Sequence, residues 1–262
     1  MTFPGGDAPR IEYNGAPASA EQLRAVALDS YGHFTAMQVR GRRVRGLDQH
    51  LARLDAANRE LFGAAADTAQ VRDHIRHALG DDLTDASVRV LVREPAAGPS
   101  IMVTVRPPGG MPGADWKLKV VPYQRSLAHI KRAADFGQRY YQRLAHAAGF
   151  DEALLTGPDG AISEGAITNI GFFDGDSVTW PAAPCLPGIT MALIEPMLAG
   201  YGVPSRRAHV RLTDLSSFEA VFVTNARGVA AVGQVDDQAL PVHPGLMRTL
   251  ASAYDSVGWD EI

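Results

Sequence analysis

Residues 34–39 alternate between apolar and polar positions, the period of a strand with one buried face. Upstream, Ile11-Glu12-Tyr13-Asn14-Gly15 reads as a strand ending in a turn, and Gly41 offers a second turn before Val44-Arg45-Gly46-Leu47. Leu51, Leu54 and Leu61 give one apolar face to a helix over about 48–61, with Asp48 as its expected N-cap. A second helix is expected over about 69–79. The β-branched runs 88–92 and 101–105 predict strands. Glycine and proline then crowd the stretch 106–114, the best linker candidate in the chain. Beyond it the pattern predicts strands at 116–121, 152–155, 168–173, 178–180 and 220–224. Helices are expected at about 136–148 and 190–199, and a loop carries Lys131.

This is an α+β or α/β chain. It divides into a smaller N-terminal domain (1–106), a linker (107–115) and a larger C-terminal domain (116–262), with a site expected between them. Its 262 residues and 46% hydrophobic content are enough for a sizeable core. A net charge of −4 gives no overall basic footprint for nucleic acid. The run Arg40-Gly41-Arg42-Arg43-Val44-Arg45 reads as a solvated hairpin turn. The single cysteine, Cys185, excludes an intrachain disulfide and a multi-cysteine zinc site, and fits a reducing cytoplasm. No apolar run is long enough to span a bilayer, and no metal site is expected. The N-terminal segment 1–7 lacks a basic-then-apolar leader and reads as a loose tail.

The chemistry gathers around Ile162-Ser163-Glu164-Gly165-Ala166-Ile167-Thr168-Asn169-Ile170, a β-rich run with a carboxylate near its start. Downstream lies Leu186-Pro187-Gly188-Ile189-Thr190, a turn opening a helical stretch; upstream lies Lys131. An amine, a carboxylate and a helix start suit a charged aromatic cofactor carrying a phosphate.

Glu164-Gly165 with Asn169, preceded by Lys131 33 residues before Glu164, resembles the signature of the class IV aminotransferases, the fold type IV pyridoxal-phosphate enzymes. The resemblance runs from about residue 12 to about residue 235. It implies a two-domain fold and pyridoxal 5'-phosphate as cofactor. Small-molecule amino donors and oxo-acid acceptors are the implied substrates, and a homodimer the implied assembly.

Carried over residue by residue, the resemblance makes Lys131 the Schiff-base lysine and catalytic residue. Such a lysine must lose its proton near neutral pH, which burial and nearby positive charge favour. Glu164 is implied to face the pyridine nitrogen, and Asn169 to brace the loop. Ile189 and Thr190 supply donors to the phosphate from the helix start. Arg53, in His50-Leu51-Ala52-Arg53-Leu54, matches the family's phosphate-binding arginine, with His50 structural. Thr224 and Asn225, in Phe222-Val223-Thr224-Asn225-Ala226, complete the implied cofactor set. Tyr31, His33 and Thr35 either line the substrate pocket or are simple strand residues.

The chain departs from the pattern at two places. Phe136 stands where several relatives carry a tyrosine, and Gly32-His33 replaces a longer segment. The reading favoured is an aminotransferase. The alternatives are aminodeoxychorismate lyase and a non-catalytic cofactor-binding protein.

Overall fold

Alternation is realised as expected in the first third of the chain. The computed structural model describes residues 8–94 and 98–262, so the expected tail at 1–7 lies outside the described residues. β1 (Arg10–Tyr13) turns through Asn14 and Gly15, both at positive φ, into β2 (Ala16–Pro17). α1 (Ala20–Leu28) follows, opened by a capping box between Ser19 and Gln22. It buries none of its residues. β3 (His33–Val39) buries every second residue: His33, Thr35, Met37 and Val39. β4 (Arg43–Arg45) comes after a turn at Gly41 and Arg42.

The basic run is this turn, but it is not simply solvated. Arg40 donates to the Gly109 carbonyl at 2.8 Å and Arg42 to the Gly80 carbonyl at 2.6 Å.

α2 (Leu47–Phe62) and α3 (Thr68–Leu79) precede β5 (Ala86–Arg93) and β6 (Ser100–Arg106). Asp48 is not the N-cap of α2. Gly46 takes that position at φ 69°, and the Leu47 N–H bonds the Asp260 carboxylate at 2.9 Å. A left-handed cap suits glycine and leaves Asp48 within the first turn. The five strands form an antiparallel sheet in the order β2-β1-β6-β5-β3. Met37, Leu51, Leu54, Ile75, Val90 and Val103 meet in the core between this sheet and the two long helices.

The first compact unit comprises the described residues up to Gly109, with Ile130–Ala134 and Gly258–Ile262. Lys131 therefore belongs with the first unit, although it follows the 107–115 stretch in sequence.

The second unit holds β7 (Trp116–Val121), α4 (Phe136–Ala147), β8 (Glu152–Thr156), β9 (Ile162–Gly165), β10 (Asn169–Phe173) and β11 (Val178–Pro181). It continues with α5 (Ile189–Ile194), β12 (Ser205–Ala208), β13 (Ala220–Asn225), β14 (Gly228–Val235), β15 (Gln238–Ala239) and α6 (Pro244–Asp255). β16 (Trp259–Glu261) returns to the first unit and pairs with β4.

Two expected elements are shorter than their sequence reading. The strand expected from residue 168 begins at Asn169, because the Thr168 carbonyl closes a turn with the Gly165 N–H at 2.9 Å. The helix expected over 190–199 ends at Ile194, and Leu198–Tyr201 is a separate 3-10 turn. Pro196 lacks the N–H that the next helical bond needs.

The large sheet runs β12-β11-β10-β13-β14-β7-β8-β9, with β15 on β14. Four strands separate β10 from β9 in this order, yet only residues 166–168 join them in sequence. In a flat sheet those strands would stand about 24 Å apart. The four steps from Gly165 to Asn169 reach about 14 Å. The sheet must therefore curl, and the curl brings the carboxylate end of β9 beside the start of β10.

Candidate active site

In the first unit the chemistry sits at the start of β3. Ile130–Ala134 lies along this strand: the Phe34 N–H donates to the Lys131 carbonyl at 2.8 Å, and the Ala133 N–H to the Gly32 carbonyl at 2.8 Å. These backbone bonds fix Lys131, whose Nζ lies 4.9 Å from the centre of the Phe34 ring. Phe34 also carries the Arg89 guanidinium at 3.8 Å.

The buried face of the same strand is polar where it meets α2. Arg53 Nη2 donates to Thr35 Oγ1 at 2.6 Å, and Thr35 Oγ1 is 2.7 Å from His50 Nδ1. Burial, then the positive charges of Arg53 and Lys131, hold His50 well below the ordinary imidazole range. A neutral His50 accepting the Thr35 proton leaves the threonine oxygen to accept from Arg53. Burial brings Arg53 down to about 10, so it stays charged at neutral pH. His33 is buried and meets Asn58 Oδ1 at 3.3 Å.

Lys131, Arg53, Thr35 and His33 are thus brought to one corner of the first unit. Thr35 and His33 are engaged in internal bonds there. Tyr31 is not gathered in: it is 59% exposed, with its ring edge-on to Phe62.

In the second unit, Glu164 is buried at the end of β9. Its Oε1 accepts from Arg125 Nη1 at 2.9 Å, and its Oε2 accepts the Leu186 N–H at 3.1 Å. Leu186 opens the turn into α5. Asn169 braces that turn: its Nδ2 donates to the Leu186 carbonyl at 2.7 Å, and its Oδ1 lies where a Cβ on Gly188 would stand.

Gly188 is the N-cap of α5 and provides no side-chain cap, so the first N–H groups of Ile189 and Thr190 have no intrahelical partner. The Thr190 hydroxyl donates to the Asn225 carbonyl at 2.7 Å, tying the helix start to the end of β13. On that strand Thr224 pairs with Asn169, and its fully buried hydroxyl has no hydrogen-bond partner among the described residues. An orphaned buried hydroxyl costs free energy unless a ligand satisfies it. Asn225 Oδ1 accepts the Arg227 N–H at 2.8 Å. Thr224, the α5 start and the glycine approach fit a phosphate.

Two buried ionisable residues here escaped the motif reading. Arg125 lies 39 positions from its partner Glu164. Glu152 is fully buried and accepts from the Ile167 N–H and from Thr168 Oγ1 at 2.9 Å, holding the link between β9 and β10. Burial, and secondarily the charge of Glu164, push Glu152 up to about 7. In the first unit Arg93 is another such residue. It is buried against Asp29 at 2.6 Å, and its Nε and Nη1 have no partner among the described residues. No grouping of His, Cys, Asp and Glu suited to a metal occurs among the described residues. No described helix is long and apolar enough to cross a membrane. Phe136 opens α4 with its ring 82% exposed, stacked on Tyr140.

Comparison with known proteins agrees with this geometry. The family described as amino-transferase class IV matches residues 32–235. No curated protein sequence matches. Among solved structures, a hypothetical aminotransferase from Mycobacterium tuberculosis in its PLP-bound form is 18% identical with a TM-score of 0.81; the match covers 95% of this chain and 98% of that one. A branched-chain aminotransferase from Thermoproteus uzoniensis with norvaline is 18% identical with a TM-score of 0.80, covering 95% and 94%. A putative 4-amino-4-deoxychorismate lyase from Legionella pneumophila is 17% identical with a TM-score of 0.78, covering 89% and 93%. At these identities the likeness is one of fold.

Proposed function

The chain belongs to the class IV aminotransferase family, and from that premise we propose that it is a pyridoxal 5'-phosphate-dependent transaminase. It moves an amino group between an amino acid or amine and an oxo acid. The observation that carries the reading is the bond from the Leu186 N–H to Glu164 Oε2. It joins a buried carboxylate to a turn whose following helix start and orphaned Thr224 hydroxyl suit a phosphate. When bound, the cofactor supplies an electrophilic carbonyl carbon and an electron-accepting pyridinium ring.

The roles of the chain's own residues follow. Lys131 would hold the cofactor through Nζ, and its freed amine would take the proton from the substrate Cα and hand it on to the cofactor carbon. Glu164 would accept the hydrogen bond of the pyridine nitrogen and favour its protonated form. The N–H groups of Ile189 and Thr190, with Thr224 and Asn225, would hold the phosphate, and Arg53 of the first unit is the candidate arginine for it. Thr35 and His50 aim Arg53. The assembly is a homodimer, tested by light scattering at working concentration.

Purified protein should be yellow, and borohydride should fix the cofactor on Lys131, found by peptide mapping. A colourless protein that takes up no added pyridoxal phosphate would sink the reading. The second reading, aminodeoxychorismate lyase, is supported by the Thr224-Asn225-Ala226 segment and by the lyase among the structural neighbours. The short Gly32-His33 segment weighs against a lyase pocket, because a ring substrate needs a pocket matched in shape and polar groups.

A further inference from the structure

Glu164 has a partner that its motif does not contain. Arg125 is 3% exposed and Glu164 5%, so the pair is shielded from water and its charges act strongly on each other. Nη1 of Arg125 reaches both Glu164 Oε1 at 2.9 Å and the Ala128 carbonyl at 3.0 Å, which fixes the guanidinium against its own loop. Glu152 and Cys185 of this unit feel the charge of Glu164. Both are biased to their neutral forms, firstly by burial and secondly by the negative charge of Glu164. Arg125 is the fixed counter-charge of Glu164.

We infer that Arg125 is a positioning residue that keeps Glu164 ionised and so keeps the proton of the carboxylate–pyridine pair on the cofactor nitrogen. The inference rests on the proposed cofactor reading. One proton is shared between a carboxylate and a pyridine. In a dry site without a counter-charge, the neutral acid and free base are favoured over the ion pair. A fixed guanidinium reverses that preference, because it stabilises only the carboxylate form. A neighbouring arginine moves a carboxylate's proton equilibrium by about 10- to 1,000-fold. That is enough to change which atom carries the proton, and a nitrogen without its proton is a poor electron acceptor.

The test uses full-length wild type, Arg125→Met and Arg125→Lys, each loaded with pyridoxal phosphate labelled with 15N in the ring. The nitrogen resonance is read at one pH, alongside cofactor affinity from fluorescence quenching. Wild type and Arg125→Lys should show the protonated position, and Arg125→Met should move toward the free-base position. A purely structural role would weaken binding without moving the resonance of the cofactor that remains bound. If Arg125→Met does not fold, Arg125→Gln, which is also neutral and can still donate to the Ala128 carbonyl, takes its place. A protonated resonance in the neutral variant overturns the inference alone. Failure of both neutral variants to fold, with Arg125→Lys folded, assigns Arg125 to stability and also overturns it. A wild type that binds no pyridoxal phosphate overturns the cofactor reading, and this inference with it.

Discussion

Asn169 and Gly188 meet so closely that no Cβ fits between them. The amide of Asn169 bonds the Leu186 carbonyl on one side and lies against the glycine on the other, so a single side chain sets the path of the turn into α5. Gly188→Ala must push Asn169 away or shift the turn. We expect a loss of about 1–3 kcal/mol in urea unfolding, with a fall in pyridoxal phosphate affinity measured by fluorescence titration. Unchanged affinity would remove this turn from the phosphate site.

Thr35→Val keeps the shape of the β3 face but takes away the oxygen that receives Arg53. Leaving a buried charged donor short of an acceptor costs about 1–3 kcal/mol. Cofactor binding should weaken by about tenfold as Arg53 loses its aim, and Arg53→Ala should weaken it at least as much. If Thr35→Val binds as wild type does while Arg53→Ala does not, the threonine has no part in holding the arginine.

Stability should carry a signature of Glu152. Its folded pKa is raised from 4.5 to about 7, so the folded state holds the proton more tightly than the unfolded one. The associated stability is complete below about 4.5 and is lost as pH rises through about 7, a change of about 3 kcal/mol. His50 acts in the opposite sense. Its lowered pKa makes the unfolded state the better proton acceptor, so its contribution rises with pH toward 6.5. The difference between wild type and Glu152→Gln isolates the first effect. Between pH 4.5 and 7 the wild-type unfolding free energy should fall relative to the variant. Parallel curves would mean that Glu152 does not titrate in this range.

An amino donor alone separates the two proposed reactions. A transaminase keeps the amino group on the cofactor, so the donor should bleach the visible absorbance and a later oxo acid should restore it. A lyase should release pyruvate from aminodeoxychorismate with no acceptor present. Pyruvate release without bleaching across a broad panel of amino acids and amines would reverse the preferred order.

Much of the candidate site is legible where its residues are neighbours in sequence. Glu164 with Asn169, and the turn from Leu186 to Thr190, stand in short strings whose chemistry can be read directly. Arg125 and Glu152 are not legible in this way. Their roles depend on a curled sheet that sets them against Glu164 and against the link at 166–168. The leucines of α2 mark the helix, but Asp48 misleads as its cap, because the left-handed Gly46 and the distant Asp260 serve that end. Helix α1 carries only a short run of apolar positions, Leu23, Val26 and Ala27, none of them buried, and its start is marked by the Ser19–Gln22 capping box. Thr35 reads equally as a pocket residue or a strand residue until His50 and Arg53 are seen on its hydroxyl.

The pairing of Trp259–Glu261 with Arg43–Arg45 also sets an order of events during synthesis. The unit that leaves the ribosome first is completed by residues made about 150 positions later, among them Asp260 on the Leu47 N–H and the Ile262 carbonyl on Arg76. At ordinary elongation rates that is a wait on the order of ten seconds. Until then the start of α2 and the open side of β4 lack their partners. A truncation before residue 258 would leave the start of α2 and the open side of β4 without these partners permanently.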